Sequence, residues 1–496
     1  MKATLGIDVG TQSTKALVYD ADSKKVLARS QAAYDLIAKD DGTREQEASW
    51  WTDAIAKCLK DIDPSILKEV KAIGVSGQQH GFVPVDAAGK PLRAVKLWCD
   101  TSTAKECAEI EAAYGSREAL LAEAGNLILP GYTISKILWL KKHEPALYSK
   151  MAKILLPHDY VNFWLTGAYT MEYGDASGTG LMDVRARKWN AKLLKILDPA
   201  RDLSSCLPPL IEAHAEAGRL SAERAKDLGL PAGIPVSSGG GDNMMGAIGT
   251  GNARAGAVTM SMGTSGTLYA YSDKPIIDPD GAMAAFCSST GGWLPLLCTM
   301  NCTVATEVVR ELFGYEVKAF DAEAAKAPAG AQGLVLLPFF NGERTPNLPR
   351  GKASFMGMDA SNATKPNMFR AAMESAVFGM RMGLDSLKAL GFEPKEIRIT
   401  GGGSASPLWR QIAADVLNLP VVYPDEKESA CLGAALQALW CLDSGGGKKA
   451  DIAAICDAHV RLDPSKAAKP GPDAKKYGEA YASYERYLKA LKPLYV

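Results

Sequence analysis

Two aspartates, Asp242 and Asp8, are the residues of this chain best placed to do chemistry. Asp242 follows three glycines in Ser237–Gly251, SSGGGDNMMGAIGTG. Val236 before it ends a strand-like run, and Met244, Met245, Ala247 and Ile248 open a buried helix. Glycine has no Cβ, so another molecule can approach the backbone closely there. On this stretch alone, an Asp at a strand-to-helix turn reads first as an N-cap. Asp8 lies in ATLGIDVGTQSTKALVY, just before a turn of Gly10, Thr11, Gln12, Ser13 and Thr14. Such a turn offers backbone N–H groups and hydroxyls to phosphate oxygens, and the carboxylate beside it suits Mg²⁺ held through water. A third polar stretch, Gly77-Gln78-Gln79-His80-Gly81, follows the apolar run Val70–Ser76. Polar residues at a strand end are a usual place for ligand contacts in open α/β sheets. Taken by itself, His80 reads as a surface loop histidine.

The elements that position these residues repeat. IDVGTQSTKALVY near the start and MSMGTSGTLYAY near the middle are both strand, Gly-Thr turn, strand. The spacing of half a chain suggests two domains of one design, divided here as 1–245 and 246–496. Two such hairpins, with Gly10 and Gly263 at their tips, could clamp one triphosphate across a cleft. A third glycine turn, Gly401-Gly402-Gly403-Ser404-Ala405-Ser406, follows the strand-like Glu396–Thr400 and opens a helix. It offers bare backbone on which adenine and ribose can lie. Rival nucleotide motifs are absent. Each Gly-Lys is followed by Pro91, Ala353 or Lys449, so there is no P-loop. No GxGxxG follows a strand, and the HRD and DFG triads of protein kinases are missing.

Periodicity supplies the rest. Strands are expected at 3–9, 15–19, 26–34, 70–76, 257–262, 267–271, 334–340 and 396–400, with another strand-like segment closing at Leu97–Asp100. Helices are expected at 47–60, 104–124, 134–153, 221–228, 367–390, 407–417, 430–440 and 473–491. Met373, Val377, Met380 and Leu384 form a core stripe, residues 430–440 are small enough for close packing, and Ser444–Lys449 (SGGGKK) reads as a surface loop.

Bulk composition narrows the partners. The chain has 496 residues, 47% hydrophobic, enough for two domains with cores. Lys plus Arg equals Asp plus Glu at 56 each, which gives no basic face for nucleic acid or membrane. Ten scattered cysteines without a CxxC pair and five histidines argue against zinc and for free thiols in a reducing compartment. Asp8 comes too early for a signal peptide, and no apolar run approaches a membrane span. A cytoplasmic protein is expected.

Together these segments resemble the FGGY carbohydrate kinase family of the actin/hexokinase/Hsp70 superfamily. GIDVGTQSTK is similar to its first phosphate loop, SMGTSG to its second, and TGGGSASPLWRQIAADVL to its adenosine loop. GYTISKILWLKKH (131–143) and ASFMGMDASNATKPNMFRAAME (353–374) match its two signatures. The resemblance covers nearly the whole chain. It implies an α/β, two-domain actin/hexokinase-like (ribonuclease H-like) ATPase fold with a cleft between duplicated domains. It also implies ATP and Mg²⁺ as cofactors, and it leaves a homodimer open. Residue by residue, Asp242 falls on the catalytic base and Asp8 on the acid that supports Mg²⁺ and phosphate. Gln79 and His80 fall on the sugar-binding pair, with Asn243 beside the base. Thr11, Gln12, Ser13, Thr264, Gly402 and Ser406 fall on nucleotide positions. SGQQHG (76–81), LPHDYVNFWLTG (156–167) and GGGDN (239–243) resemble the branch acting on ketopentoses, D-xylulose at O5 foremost. Ribulose, gluconate, glycerol or another polyol is the alternative acceptor. An actin- or Hsp70-like ATPase with a protein partner is the alternative class. One departure stands out: many members of that branch read Trp-Asn-Asp with an Arg soon after, where this chain has Trp98-Cys99-Asp100-Thr101-Ser102.

Overall fold

Ala3–Val9 (β1) is buried at every position except the half-buried Asp8, as expected of a strand covered on both faces. The computed structural model describes residues 1–445 and 450–495. β1 turns back antiparallel as β2 (Ser13–Asp20), which pairs with β3 (Lys25–Ala33). On its other side β1 runs parallel to β4 (Val70–Gly77). β5 (Glu216–Arg219) and β6 (Pro235–Ser237) complete the order β5-β6-β4-β1-β2-β3, and β7 (Gly240–Gly241) also pairs with β4.

The second sheet repeats this plan. Its strands are β8 (Ala257–Met262), β9 (Gly266–Ala270), β10 (Ala284–Cys287), β11 (Trp293–Thr299), β12 (Glu396–Thr400) and β13 (Val421–Val422), in the order β10-β11-β9-β8-β12-β13. β8 is antiparallel to β9 and parallel to β12, as β1 is to β2 and β4. Each hairpin leaves three residues at its tip, Gly10–Gln12 and Gly263–Ser265. The duplicated design read from two short segments thus extends to order and direction over five strands, β3-β2-β1-β4-β6 matching β11-β9-β8-β12-β13.

Three helices carry the site: α1 (Pro157–Thr166), α2 (Asp242–Gly249) and α3 (Ser429–Ser444). α2 spans the division expected at 245/246. α3 comes from the far end of the chain, yet it packs on β1, β4 and α2. Glycines permit that approach: a Cβ on Gly6 or Gly74 would stand 1.9 or 2.0 Å from α3 carbonyl oxygens.

The segmentation differs from expectation where local chemistry breaks a periodic run. Residues 104–124 form two helices, Ala104–Tyr114 and Arg117–Ala124. Gly115 turns the chain with φ 124°, and Ser116 accepts the Ala119 N–H at 3.1 Å to start the second helix. The run 134–153 is broken at Glu144 into the helices Thr133–His143 and Pro145–Tyr148, and Lys153 already belongs to a strand. The strand expected at 334–340 shortens to Val335–Leu337, and the one closing at Leu97–Asp100 is Val95–Lys96. Of SGGGKK, Ser444 ends α3, while 446–449 lie outside the described residues.

Candidate active site

Strand register gathers the first acidic residue. Asp8 on β1 pairs with Ser76 on β4, and Ser76 with Gly240 on β7, so three adjacent strand ends converge. Ser76 Oγ donates to Asp8 Oδ1 at 2.7 Å. Lys15 stands opposite Asp8 on β2 and is ion-paired to Glu428. Burial raises the Asp8 pKa, while the Ser76 hydrogen bond and the Lys15 charge pull it down.

Asp242 is the first residue of α2, with Gly241 as its cap, so it is not the N-cap that its position suggested. Its Oδ1 accepts from the Asn243 backbone N–H at 2.8 Å and from Asn243 Nδ2 at 3.0 Å. A helix N-terminus favours an ionised acid, but here burial and then the Asp8 charge dominate. They raise its pKa to about 7, with a smaller push from Asp175. Asn243 ties the aspartate to both halves of the molecule. Its Nδ2 donates to Gln79 Oε1 at 3.0 Å, and its Oδ1 accepts from Thr267 Oγ1 of β9 at 3.2 Å.

His80 is buried, not a surface loop residue, and has φ 64°. A left-handed conformation costs a non-glycine residue about 1–3 kcal/mol and persists only where its surroundings enforce it. Here Lys136 Nζ (2.7 Å) and Thr133 Oγ1 (3.1 Å) both donate to the His80 carbonyl. Its ring packs on Tyr132 and Phe286, with centroids 4.6 and 5.6 Å apart. Burial, with the charges of Lys136 and Arg344, pushes its pKa down to about 3, so the imidazole is neutral.

Gln79, His80, Asp242 and Asn243 line one cavity of about 800 Å³, together with Gly263, Ser265 and Thr267 of the second hairpin. The phosphate, adenosine and Mg²⁺ candidates other than Gly263 are not part of that lining. Asp8 stands at the strand ends described above. Thr11 Oγ1 donates to Gln78 Oε1 (3.2 Å) and accepts from Trp98 Nε1 (2.9 Å). Ser13 Oγ accepts from Gln31 at 2.9 Å, the Gly10 N–H donates across the tip to the Ser13 carbonyl, and Gln12 is exposed. At the second tip, the carbonyls of Gly263 and Thr264 accept from Thr303 and Cys302 N–H groups. Gly402 is exposed with open space where a Cβ would stand, and Ser406 caps the helix Pro407–Leu417 by accepting the Trp409 N–H at 3.2 Å.

The glycines before Asp242 do a different job from the one read in the sequence, which was room for a ligand. A Cβ on Gly239 would meet His158 at 2.8 Å, one on Gly240 would meet Met245 and Ser289 at 2.6 Å, and one on Gly241 would meet Gln79 at 2.6 Å. They admit the protein's own groups. In the segment that departs from the family pattern, Trp98 lines the cavity. Asp100 and Ser102 turn to buried Lys96, which donates to both at 3.1 and 2.8 Å.

The matched family description is "FGGY family of carbohydrate kinases": its N-terminal domain matches residues 3–249 and its C-terminal domain residues 258–442. The chain belongs to this family of carbohydrate kinases. As an FGGY kinase it is an ATP-dependent sugar kinase with the actin/hexokinase-like fold. It is 44% identical to a Haemophilus influenzae protein named xylulose kinase, over 99% of this chain and 100% of that one. Among solved structures, a ligand-bound xylulose kinase from Lactobacillus acidophilus superposes with TM-score 0.91 at 26% identity, covering 100% of this chain and 99% of that one. A gluconate kinase from the same organism gives the same TM-score, identity and coverage. No described helix of this FGGY kinase is long and apolar enough to cross a membrane.

Sequence reading missed several residues of this kinase's cavity or its support. Tyr132, Phe286, Thr267 and Arg344 line the cavity, and Asp175 stands behind Gln79. Arg344, in the polar turn after Leu334–Phe340, had the clearest signal: a cation in a glycine-containing loop at a strand end.

Proposed function

We propose that this kinase transfers the γ-phosphoryl group of ATP to O5 of D-xylulose, with Asp242 as general base. The observation that carries this reading is the state of Asp242. It lines a cavity shared by both halves of the chain, its Oδ1 is occupied by Asn243, and its pKa is raised to about 7. A base is most effective when its pKa lies near the working pH. The acceptor hydroxyl gives its proton to Asp242 as its oxygen bonds to the γ-phosphorus. The bond from phosphorus to the bridging oxygen breaks, and the electron pair leaves with ADP. Gln79, the neutral His80 and Asn243 hold the sugar. The tips at Gly10, Thr11, Gln12 and Ser13 and at Gly263 and Thr264 hold the phosphates, with Gly402 and Ser406 at the adenosine.

Asp8 suits Mg²⁺ brought in with ATP. Among the described residues no cluster of three or more His, Cys, Asp or Glu is placed to hold an ion. One carboxylate, completed by water and phosphate oxygens, is an ordinary Mg²⁺ arrangement. Bound there, the ion would neutralise charge on the transferring phosphoryl group. Ten free thiols support a reducing, cytoplasmic setting.

The name carried by the Haemophilus relative favours D-xylulose. A second reading, gluconate, draws on Arg344, a cation that lines the cavity. An aldonate could supply a carboxylate to it. Measuring ADP release with Mg-ATP and D-xylulose, D-ribulose, gluconate or glycerol tests both. A D-xylulose preference supports the first reading. Turnover with gluconate or glycerol alone overturns the substrate, and no stimulation by any sugar overturns the kinase assignment itself.

A further inference from the structure

A line of buried polar groups runs from α1 to the cavity. His158 is fully buried on the first turn of α1. Its Nδ1 lies 2.8 Å from Asp175 Oδ2, and its Nε2 lies 2.9 Å from Asp159 Oδ1. Burial would push its pKa down, but the Asp159 charge and the Asp175 hydrogen bond raise it well above the ordinary imidazole value; Nδ1 is hydrogen-bonded to Asp175, while Nε2 is ion-paired with Asp159 without hydrogen-bond geometry. The remaining carboxylate oxygen, Asp175 Oδ1, is buried without a hydrogen-bond partner, and so is Gln79 Nε2. One is an acceptor and the other a donor, and both stand over Gly241. A Cβ there would lie 3.1 Å from Asp175 Oδ1 and 3.0 Å from Gln79 Cδ. Burial raises the Asp175 pKa, while the His158 hydrogen bond and charge oppose it, with a smaller downward pull from Gln79.

We propose that Asp175, held by His158, is a positioning residue that fixes the direction of the Gln79 amide and so selects which oxygen of Asp242 faces the acceptor hydroxyl. The argument is one of donor and acceptor polarity. An ionised carboxylate only accepts, so Gln79 turns Nε2 toward Asp175 and Oε1 toward Asn243. Asn243 Nδ2 then donates to Gln79 Oε1 and to Asp242 Oδ1, both at 3.0 Å, while its own Oδ1 accepts from Thr267. A flipped Gln79 would set two NH₂ groups against each other and release Asn243. With the chain intact, Asp242 Oδ1 is doubly occupied and Oδ2 is left for the proton. The need for close approach explains the glycines: Gly77, Gly239 and Gly241 all abut this line, with Cβ clearances of 2.8, 2.8 and 2.6 Å to His158 or Gln79.

This inference rests on the proposed role of Asp242, and its test separates the two. Asp175→Asn keeps the shape but can present an NH₂ to Gln79, which allows the amide to flip. Steady-state kinetics with Mg-ATP and D-xylulose should give a sugar kcat/KM lower by about tenfold or more, with KM for ATP changed by less than about twofold. The charged and titratable groups facing Asp242 are Asp8, Asp175, Tyr269 and Cys298. Those facing His158 are Asp159, Asp175 and Glu172. Removing the Asp175 charge should therefore move the acid limb of kcat to lower pH, by about half a unit. Gln79→Ala combined with Asp175→Asn should be no worse than Gln79→Ala alone, because both act through one amide. If Asp175→Asn does not fold by circular dichroism, Gln79→Glu breaks the same contact from the cavity side and should lower sugar kcat/KM as strongly. An active wild type whose Asp175→Asn and Gln79→Glu variants keep its sugar kcat/KM and pH limb overturns the positioning role. Additive losses in the double variant do the same. A wild type that phosphorylates no sugar overturns the kinase reading instead.

Discussion

Asp242 is poised by what surrounds it more than by the helix it begins. The N-terminal dipole alone would keep it ionised, yet burial and the Asp8 charge carry its pKa to about 7. If it is the base, it must be deprotonated to work. The kcat of the wild type should then fall as pH drops through about 7 and level off above it. Asp242→Asn should cost about 10²–10⁴-fold in kcat and abolish that limb while nucleotide still binds, which stopped-flow kinetics and fluorescent-nucleotide titration can follow. A second residue-scale prediction concerns Lys136, buried with its Nζ on the carbonyls of His80 and Gly131 at 2.7 and 2.8 Å. Burial lowers the Lys136 pKa to about 7, and Lys136→Met frees the left-handed His80 peptide from an amine donor worth about 1–3 kcal/mol. The sugar KM should rise about tenfold, and the ATP KM should hold. Asp8, Asp242, Gln79 and His80 were legible because polar residues between glycines at strand ends are conspicuous. Asp175 was not, since it lies in a one-turn helix, Tyr173–Ala176, too short to show a period, and reaches the site only through a neighbour. The strain at His80 was equally hidden, because nothing in Gly-Gln-Gln-His-Gly announces a positive φ.

At the scale of elements, the site depends on how closely α3 meets α2 and the first sheet. A Cβ on Gly433 of α3 would stand 1.8 Å from the Met245 carbonyl oxygen, and one on Gly249 of α2 would stand 1.8 Å from the Ser429 carbonyl oxygen. Gln437, fully buried on α3, braces the run before Asp242. Its Oε1 accepts from the Gly239 N–H and Ser237 Oγ, both at 2.9 Å, and its Nε2 donates to the Gly239 carbonyl at 2.9 Å. Gly433→Ala therefore drives two helix backbones apart. Overpacking of this kind costs about 1–3 kcal/mol, and here it displaces the helix that starts with Asp242. Denaturant unfolding should show the loss, and kcat should fall even though residue 433 touches neither substrate. The small-residue character of α3 was readable in sequence. Its partner was not: the hydrophobic period says that a face is buried, never against what, and β1 lies more than 400 residues away.

Across the whole molecule, two sheets of one design face a shared cavity, and the repeat predicted that symmetry. The copies differ where chemistry does. Asp8 before the first tip corresponds to Ser261 before the second, so one sheet supplies the acid and the other a neutral wall. Two carboxylates, Asp8 and Asp242, are thereby held within reach of each other's charge, and the fold must pay a cost in stability that can be measured. A carboxyl whose folded pKa lies above its unfolded value binds more protons folded than unfolded. Stability from that group thus falls as pH rises from about 4 through the folded value. For Asp242 the window runs from the ordinary aspartate value of 3.8 to about 7. Above it the penalty is complete; at pH 5 most of it has yet to appear. Asp242→Asn removes the titration and keeps the shape. The variant should be more stable than the wild type at pH 8, with an advantage roughly 2–4 °C larger in apparent Tm than at pH 5. Thermal unfolding of both proteins at the two pH values, without ligand, measures it. An advantage that is equal at both, or larger at pH 5, would mean that the carboxylate is not strained by its neighbours. The raised pKa that makes it a serviceable base would then be without support.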